Sequence, residues 1–329
     1  MRVLMLGTPA FAVPTFEALL ASRHEVADLV CQPDRPRGRG QKVLAPATKL
    51  VAEAHGLPVL QPLRLKDPDL MAAIGALEAD IGVVAAYGRI LPDALIALPR
   101  RGMINVHASL LPKYRGAAPI QRAVMAGDDV TGATIMRVVR ELDAGPMLAA
   151  VPLPIAPDAT SVDVERALAA SGAALLVETL DRLGAGEAIA EVPQDDRLAT
   201  HASKIERADG AIDWTAPAPD IHNRVRGLHP WPHAFTYLDG ERLLIHRTSL
   251  NSSRMNIPGV PNREYSSGMN KPGAVLAASA DGIDVATGDG TLRILEIQPE
   301  GKRVMPARDW LAGRRDLHAA RFTSAPDHA

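Results

Sequence analysis

The chain has 329 residues, of which 47% are hydrophobic, so it is long enough for two domains that each bury a core. Its 36 basic and 38 acidic residues give a formal net charge of −2, which excludes nucleic-acid binding through a globally basic surface. A single cysteine, Cys31, excludes an internal disulfide framework and is typical of a reducing compartment. The N-terminal apolar run is too short for a signal peptide and no later segment reaches transmembrane length, so we expect a cytoplasmic protein without a membrane partner.

The first half of the sequence alternates short apolar runs with amphipathic segments of helical length. This alternation predicts an α/β fold with right-handed crossovers and a doubly wound, mostly parallel, Rossmann-like sheet. Ligands of such sheets bind beyond the carboxyl ends of the strands. We predict strands at residues 3–6, 26–31, 81–86, 103–106, 131–138 and 148–153, and helices at 11–21, 47–54, 70–77 and 161–183.

The pattern changes towards the C-terminal half. Residues 189–209 are polar and interrupted by proline, which predicts a linker between a first domain at 1–188 and a second at 210–329. In the second domain, a helix at 218–225 precedes short alternating segments joined by Asp-Gly turns, which indicates a small antiparallel β-barrel. The polar segment 251–271 is predicted to be a long excursion from this barrel. The barrel strands are predicted at 235–238, 242–247, 274–278, 283–286 and 291–297.

Several common catalytic motifs are absent. The first strand is followed by Gly7-Thr8-Pro9, which lacks the glycine spacing of a dinucleotide-binding turn. The sequence has neither a phosphate-binding loop of the G-x-x-x-x-G-K type nor a G-x-S-x-G nucleophile turn. The ten histidines suggest no metal-ligand spacing, so we expect no metal.

The densest cluster of polar residues follows the strand predicted at 103–106. Asn105 and His107 are two residues apart, so in an extended chain their side chains lie on the same face. An amide and an imidazole at the end of a strand can donate hydrogen bonds to one developing oxyanion, although an isolated Asn-x-His pair is more often structural. Asp143 lies in a predicted tight turn between two strands, where it could orient His107 if the fold brings them together.

These three residues, together with the segment 109–112, resemble the signature of the folate-dependent formyltransferases. The stretches 32–40, 115–121 and 204–214 extend the resemblance to the methionyl-tRNA formyltransferases, and the motifs at 229–232 and 286–290 also match. The resemblance covers about residues 2 to 315. The segment 251–271 departs from it, because it is longer than the usual connection of the family, and no function is assigned to it.

The resemblance implies a formyltransferase fold with an OB-like second domain, 10-formyltetrahydrofolate as co-substrate and initiator methionyl-tRNA as acceptor. It implies that Asn105 and His107 stabilise the oxyanion and that Asp143 holds His107 or relays the proton of the amine; which of the two moves the proton is left open. The implied folate-binding residues lie at the ends of two strands: Ser109, Leu110, Leu111, Pro112, Tyr87, Gly88 and Ile90.

The segment 34–49 carries five basic residues and one acid, a charge of 5 − 1 = +4, and its glycines indicate a mobile loop. In the family this loop contacts the acceptor stem, and Arg39 aligns with its most important arginine. Since aromatic residues are only 3% of the chain, we expect recognition of phosphates rather than base stacking. We predict tRNA contacts at Arg35, Arg37, Arg39, Lys42, Lys302 and Arg303, and we expect a monomer.

Four alternatives stay open from the sequence. A formyltransferase of the same fold could act on a nucleotide-linked amino sugar, or the protein could be a formyl-folate hydrolase; neither needs the basic segment 34–49. A tRNA-binding protein without catalysis would not need Asn105, His107 and Asp143 together. A nicotinamide-dependent oxidoreductase is the least favoured, because the first turn lacks its glycine pattern.

Overall fold

The computed structural model describes residues 1–37, 41–250, 271–312, 314 and 320–326, without the side chains of Arg37 and Lys42. Within this part of the chain no helix is long and apolar enough to cross a bilayer. The contacts divide the chain into two compact units. The first comprises Met1–Pro119, Val130–Pro154 and Val164–Ser203, and the second comprises Ile120–Asp129, Ile155–Asp163 and Lys204–Ala329. The domain boundaries at 188 and 210 stay a prediction, and the division by contacts falls at 203.

The elements alternate in the N-terminal half as the apolar pattern predicts. In chain order they are β1 (Arg2–Gly7), α1 (Ala12–Ala21), β2 (Glu25–Val30), β3 (Arg35–Arg37), β4 (Lys42–Leu44), α2 (Ala47–Ala54), β5 (Val59–Leu60), α3 (Pro68–Ala76), β6 (Ile81–Ala85), α4 (Asp93–Ile96), β7 (Met103–His107), β8 (Arg115–Gly116), α5 (Pro119–Ala126), β9 (Val130–Arg137), β10 (Met147–Pro154), α6 (Ser161–Gly184) and β11 (His201–Ala202).

The central sheet has seven strands in the order β10-β9-β7-β6-β1-β2-β5. The five strands from β7 to β5 are parallel, and β9 and β10 continue the sheet antiparallel. The chain moves outward from β1 through β2 and β5, and then returns to the other side of β1 with β6. This reversal of strand order leaves a crevice beyond the carboxyl ends of β1 and β6, where ligands bind in sheets of this kind.

Both faces of this sheet are buried, as the continuous apolar runs predict. Along β1, Val3 and Met5 pack on one face with Phe16 of α1, while Leu4 and Leu6 pack on the other face. These side chains are fully buried, and each contributes about 1.5–3 kcal/mol to folding.

The second unit is built around a six-stranded antiparallel sheet, in the order β12-β13-β16-β15-β14 with β17 paired to β16. Residues 320–323 bridge its two edges, because Thr323 pairs with Tyr237 of β12 and Arg321 pairs with Ala274 beside β14. The bridge satisfies backbone groups that an open edge would leave unpaired. The elements are α7 (Ala218–Gly227), β12 (Ala234–Leu238), β13 (Glu241–Leu250), β14 (Val275–Ser279), β15 (Gly282–Ala286), β16 (Thr291–Pro299), β17 (Met305–Pro306) and α8 (Ala307–Leu311).

Two segments that the sequence predicted to be irregular contain short strands. The segment 34–49, predicted to be a mobile loop, contains the hairpin β3–β4 and the first residues of α2. The predicted linker 189–209 contains β11, which pairs in parallel with β8. Both were missed because two- and three-residue strands are too short to show a period, and their pairing is set by tertiary contacts. The segment 251–271, apart from Lys271, lies outside the described residues.

Candidate active site

Asn105 and His107 lie at the carboxyl end of β7, on the face that also carries Met103. The intervening residues Ile104 and Val106 pack into the apolar cluster on the opposite face of the sheet. β7 is flanked by β6 and β9, with Asn105 level with Val84 of β6. The period of a strand therefore places the amide and the imidazole side by side, at the edge where the crevice lies.

His107 has a hydrogen-bond acceptor on each side of its ring. Its Nε2 lies 2.9 Å from the carbonyl oxygen of Tyr114, and because a carbonyl only accepts, Nε2 carries a proton and donates it. Its Nδ1 lies 3.6 Å from Oδ2 of Asp143, a distance suited to an ion pair rather than a tight hydrogen bond. Both side chains are largely buried, with 6% and 13% of their area exposed. The carboxylate of Asp143 therefore faces Nδ1 in a place that bulk water hardly reaches.

The carboxylate of Asp143 is held in place by backbone. Asp143 lies in the turn between β9 and β10 with a positive φ of 51°, which aspartate tolerates better than most residues. The backbone N–H of Gly116 donates to Oδ2 at 2.9 Å. Two residues further on, a Cβ at Gly145 would lie 1.9 Å from the carbonyl oxygen of Arg137, so only glycine fits there.

Gln194 fixes the same turn from the segment predicted to be a linker. Its Nε2 donates to the carbonyl oxygens of Asp143 and Gly145, both at 2.8 Å. Its Oε1 accepts from Nε of Arg115 at 2.9 Å. Sequence reasoning missed Gln194, since a lone glutamine in a polar segment has no pattern that distinguishes it from solvated neighbours.

Among the described residues, the side-chain amide of Asn105 has no hydrogen-bond partner. The residue is half-buried, and its position on β7 leaves the amide at the open end of the strand. An accessible amide that makes no hydrogen bond within the protein is available to a ligand.

The segment 109–112 is anchored by its own polar groups. Oγ of Ser109 donates to the carbonyl oxygen of Lys113 at 2.6 Å, and the carbonyl oxygen of Ser109 accepts from Thr134 at 2.7 Å. Thr134 also accepts from the N–H of Leu111 at 3.3 Å. Ser109 is fully buried and Leu111 is 7% exposed, so the segment forms a rigid wall beside His107.

The carboxyl ends of β1, β2 and β6 enclose a cavity of about 400 Å³. A polar network supports it: Nε2 of Gln32 donates to the carbonyl oxygen of Tyr87 at 3.2 Å, and Arg35 donates to Oε1 of Gln32 at 3.3 Å. Of the predicted folate residues, Tyr87 and Gly88 line this cavity, while Ile90 is 74% exposed outside the lining. The lining residues are Thr8, Pro9, Gln32, Pro33, Arg35, Leu63, Ala86, Tyr87, Gly88 and Arg89.

The predicted tRNA-binding residues have different surroundings. Arg35 is exposed at the rim of the cavity, and Lys302 and Arg303 are exposed in the second unit. Arg39 and the side chains of Arg37 and Lys42 lie outside the described residues.

The one acid of the segment 34–49 is paired with one of its five basic residues, so the other four carry the net charge of +4. Nζ of Lys49 lies 2.9 Å from Asp34 and 2.9 Å from Oε1 of Gln61. Hydrogen bonds from Gln61 and Lys49 lower the pKa of Asp34. Lys49 is therefore held by the protein, and it is not among the residues predicted to contact tRNA.

The fold and this site define a formyl transferase. Residues 1–180 match the family model described as formyl transferase, and residues 204–315 match its C-terminal domain. The chain shares its fold with two more distant solved structures, HypX from Aquifex aeolicus in complex with tetrahydrofolic acid and an N-formyltransferase from Helicobacter canadensis in complex with folinic acid and dTDP-3-aminofucose. HypX is 18% identical with a TM-score of 0.62, and the match covers 94% of this chain and 47% of HypX. The N-formyltransferase is 16% identical with a TM-score of 0.65, and the match covers 91% of this chain and 99% of that protein.

Relatives of higher identity identify the branch of the family. A methionyl-tRNA formyltransferase from Synechococcus sp. (strain JA-3-3Ab) is 46% identical, over 99% of this chain and 100% of the relative. Another from Citrifermentans bemidjiense is 44% identical, over 95% and 93% of the two chains. The chain belongs to the methionyl-tRNA formyltransferase family.

Proposed function

We propose that the protein transfers the formyl group of 10-formyltetrahydrofolate to the α-amino group of the methionine carried by initiator tRNA, in the cytoplasm where translation begins. The observation that carries the proposal is the arrangement of Asn105, His107 and Asp143 at one edge of the sheet. The names of the relatives supply the acceptor, and the folate compounds named in the two distant structures supply the donor class.

The reaction needs one donor for an oxyanion and one acceptor for a proton. The amine nitrogen attacks the formyl carbon, a tetrahedral intermediate forms, and the bond from carbon to N10 breaks while N10 gains a proton. The amide of Asn105 has no protein partner among the described residues, so it is the first candidate to bind the oxyanion. No metal is required for these steps.

His107 or Asp143 would accept the proton that the amine loses. Nε2 of His107 is committed to the carbonyl of Tyr114, so only Nδ1 can exchange a proton. Nδ1 and Oδ2 of Asp143 are 3.6 Å apart, too far for a tight hydrogen bond, so neither atom is committed to the other and either can take the proton. Asp143 keeps its backbone hydrogen bond from Gly116 throughout, so its carboxylate stays aimed at the site.

We propose that the cavity beyond β1, β2 and β6 accepts one of the substrates beside this trio. Its lining includes Tyr87 and Gly88, assigned to folate from the sequence, and Arg35, assigned to tRNA. Neighbouring strands are about 4.8 Å apart, so the ends of β6 and β7 lie within the span of one small substrate. We propose, as the resemblance implies, that the folate contacts the segment 109–112, which comprises Ser109, Leu110, Leu111 and Pro112.

The acceptor is tested by incubating the purified protein with 10-formyltetrahydrofolate and methionine-charged initiator tRNA. Charged elongator tRNA and a nucleotide-linked amino sugar serve as matched alternatives. We expect formyl-methionine on the initiator tRNA alone. Formylation of the amino sugar, or release of formate without transfer, would overturn the assignment of the acceptor while retaining the catalytic trio.

The tRNA contact is tested by a matched pair of arginines. Arg35→Ala at the cavity rim removes one phosphate contact, so the logarithmic salt dependence of tRNA binding falls by about one. The control is Arg23→Ala. Arg23 lies before β2, at the opposite edge of the same sheet, so its replacement should leave the salt dependence of tRNA binding unchanged. Equal slopes for the two variants contradict the role of Arg35.

A further inference from the structure

Three histidines of the second unit converge between the loop after α7 and strand β13. His229 and His233 lie in that loop, and His246 lies on β13. The pairing of Ala234 with Ile245 places His233 beside His246, with ring centroids 4.1 Å apart, and the rings of His229 and His233 are 5.4 Å apart. One ring nitrogen from each histidine falls in a group whose members lie within 4.8 Å of one another.

Two ring nitrogens of these histidines are buried and unsatisfied. Nδ1 of His229 and Nδ1 of His233 are inaccessible to solvent and have no hydrogen-bond partner in the part of the chain that the structure describes. Buried polar atoms nearly always have a partner, so each such atom calls for an explanation. A ligand shared by the clustered rings would supply one.

The third histidine is already oriented as a ligand. Nε2 of Gln298 donates to the carbonyl oxygen of Lys302 at 2.8 Å, which fixes the Gln298 amide with its oxygen towards His246. That oxygen accepts from Nε2 of His246 at 2.8 Å. The proton of His246 therefore lies on Nε2, which leaves Nδ1 with a free lone pair. A metal-binding histidine typically has such an outer partner for its other nitrogen.

The local backbone supports the convergence. The pairing of β13 with β16 shifts between Ile245 and Arg247, so His246 is the extra residue of a β-bulge. Bulges redirect side chains from the regular alternation of a strand. His233 has a positive φ of 65°, a conformation that histidine adopts more readily than most residues.

We propose that His229, His233 and His246 bind one divalent transition-metal ion, with Zn²⁺ as the expected occupant. Three imidazoles favour zinc, nickel, copper or cobalt over magnesium or calcium, and a water can complete a tetrahedral shell. Bonds of 2.0–2.1 Å require ligand nitrogens about 3.3 Å apart, which small rotations of the rings provide. The expectation of no metal overlooked the His229-x-x-x-His233 spacing, which lies in a proline-containing loop rather than on a helix.

Two of the three rings favour the neutral form that coordinates metals. Burial and the neighbouring imidazoles lower the pKa of His233 to about 4, and burial lowers the pKa of His246. The bound ion would tie the loop after α7 to β13 and, through Gln298, to β16.

The proposal is tested on the full chain without an affinity tag. The protein is stripped with EDTA, dialysed against micromolar ZnCl₂ and analysed for metal content, and a parallel sample is titrated with Co²⁺ and followed by visible absorption. We expect one zinc per chain, a Tm raised by several degrees, and cobalt bands typical of nitrogen ligands. Zinc below about one-tenth per chain, or cobalt without such bands, overturns the proposal.

Two variants remove ligands with little disturbance of the backbone. His233→Asn tolerates the positive φ, and His246→Phe keeps a ring against His233 on the strand. Each should weaken zinc binding at least 100-fold, whereas Gln298→Leu should weaken it about tenfold. His55→Asn, an exposed histidine of the first unit, is the control and should bind as the unaltered chain does. Zinc binding that persists in both ligand variants contradicts the site, and if a variant does not fold, the cobalt spectrum of the unaltered chain decides.

Discussion

His107 in the first unit is buried and His233 in the second is half-buried, and their hydrogen bonding differs. His107 has an acceptor facing each nitrogen, the carbonyl of Tyr114 and the carboxylate of Asp143. His233 has a buried Nδ1 without a partner among the described residues, beside two further histidines. The first arrangement fits the proposed proton transfer, and the second fits the proposed metal ion. The comparison between them therefore separates a ring that the protein already orients from one that still offers a nitrogen to a ligand.

The largest effect is expected when the pair of His107 and Asp143 loses the charge of its carboxylate. Asp143→Asn keeps an oxygen for the Gly116 N–H but removes the carboxylate that faces Nδ1 of His107. We expect the single-turnover rate of formyl transfer to fall by about 10²–10⁴-fold, with binding of charged tRNA nearly unchanged. Asp69→Asn, an exposed carboxylate on α3, is the control and should retain full activity.

The next effect concerns the amide of Asn105, which makes no hydrogen bond to the described residues. Asn105→Leu keeps the approximate size of the side chain and removes its donor, so we expect a fall in kcat of about 10²–10³-fold. Because the described structure gives the amide no partner, thermal unfolding should show no loss of stability. A large loss of stability with little loss of kcat would show that Asn105 is structural.

A smaller effect should follow from loosening the turn that carries Asp143. Gln194→Ala removes two donated hydrogen bonds, so we expect about 1–3 kcal/mol less unfolding free energy and about tenfold lower kcat at unchanged KM. Gln194→Glu keeps an acceptor for Arg115 but loses both donors, so its kcat should resemble that of the alanine variant. If kcat is normal in both variants, Gln194 does not position Asp143.

A third buried polar group, the carboxyl of Asp28, also has an atom without a partner among the described residues, but no ligand is proposed for it. Asp28 on β2 is 5% exposed, its Oδ1 has no partner among the described residues, and burial raises its pKa to about 6. The folded state therefore binds more protons than the unfolded state between about pH 4 and pH 6, and the cost of ionising Asp28 is complete above pH 6. Asp28→Asn should stabilise the protein at pH 7.5 by up to about 3 kcal/mol, since one pKa unit corresponds to about 1.4 kcal/mol.

This stabilisation should shrink as the pH falls and disappear below about pH 4, where the carboxyl group is neutral in both states. Urea denaturation of the two proteins at pH 4 and pH 7.5 measures the difference. A gain of equal size at both pH values would mean that the ionisation of Asp28 has no part in it.

The sequence was sufficient for the main elements and for the placement of Asn105 and His107 at the end of one strand, while their catalytic role stays a prediction. Helix α2 and the strands that carry the site were predicted to within about two residues, because buried parallel strands and long helices have clear apolar patterns. The face shared by Asn105 and His107 follows from the period of a strand. The proximity of Asp143 to His107 could only be suggested, because 36 residues separate them in the chain.

The rest depends on contacts between distant segments. Gln194 and Thr200 lie in the predicted linker, yet Gln194 holds the turn of Asp143, and Thr200 accepts from the N–H of Tyr114 at 2.8 Å. The histidine cluster needs the register of β12 on β13, which no sequence pattern supplies. The contact of Lys49 with Gln61, twelve residues further along the chain, likewise appears only in the fold.

The most direct test of the proposed mechanism is a double-mutant cycle on His107 and Asp143. The rate of single-turnover formyl transfer is measured for each variant at saturating substrates. If the two residues act as one proton-handling unit, His107→Asn combined with Asp143→Asn should be no slower than the slower single variant, within about threefold. Adding Asn105→Leu to either should multiply the losses, because the oxyanion donor acts separately. Multiplicative losses for His107 and Asp143 would show that they act independently and would contradict the proposed proton-transfer unit.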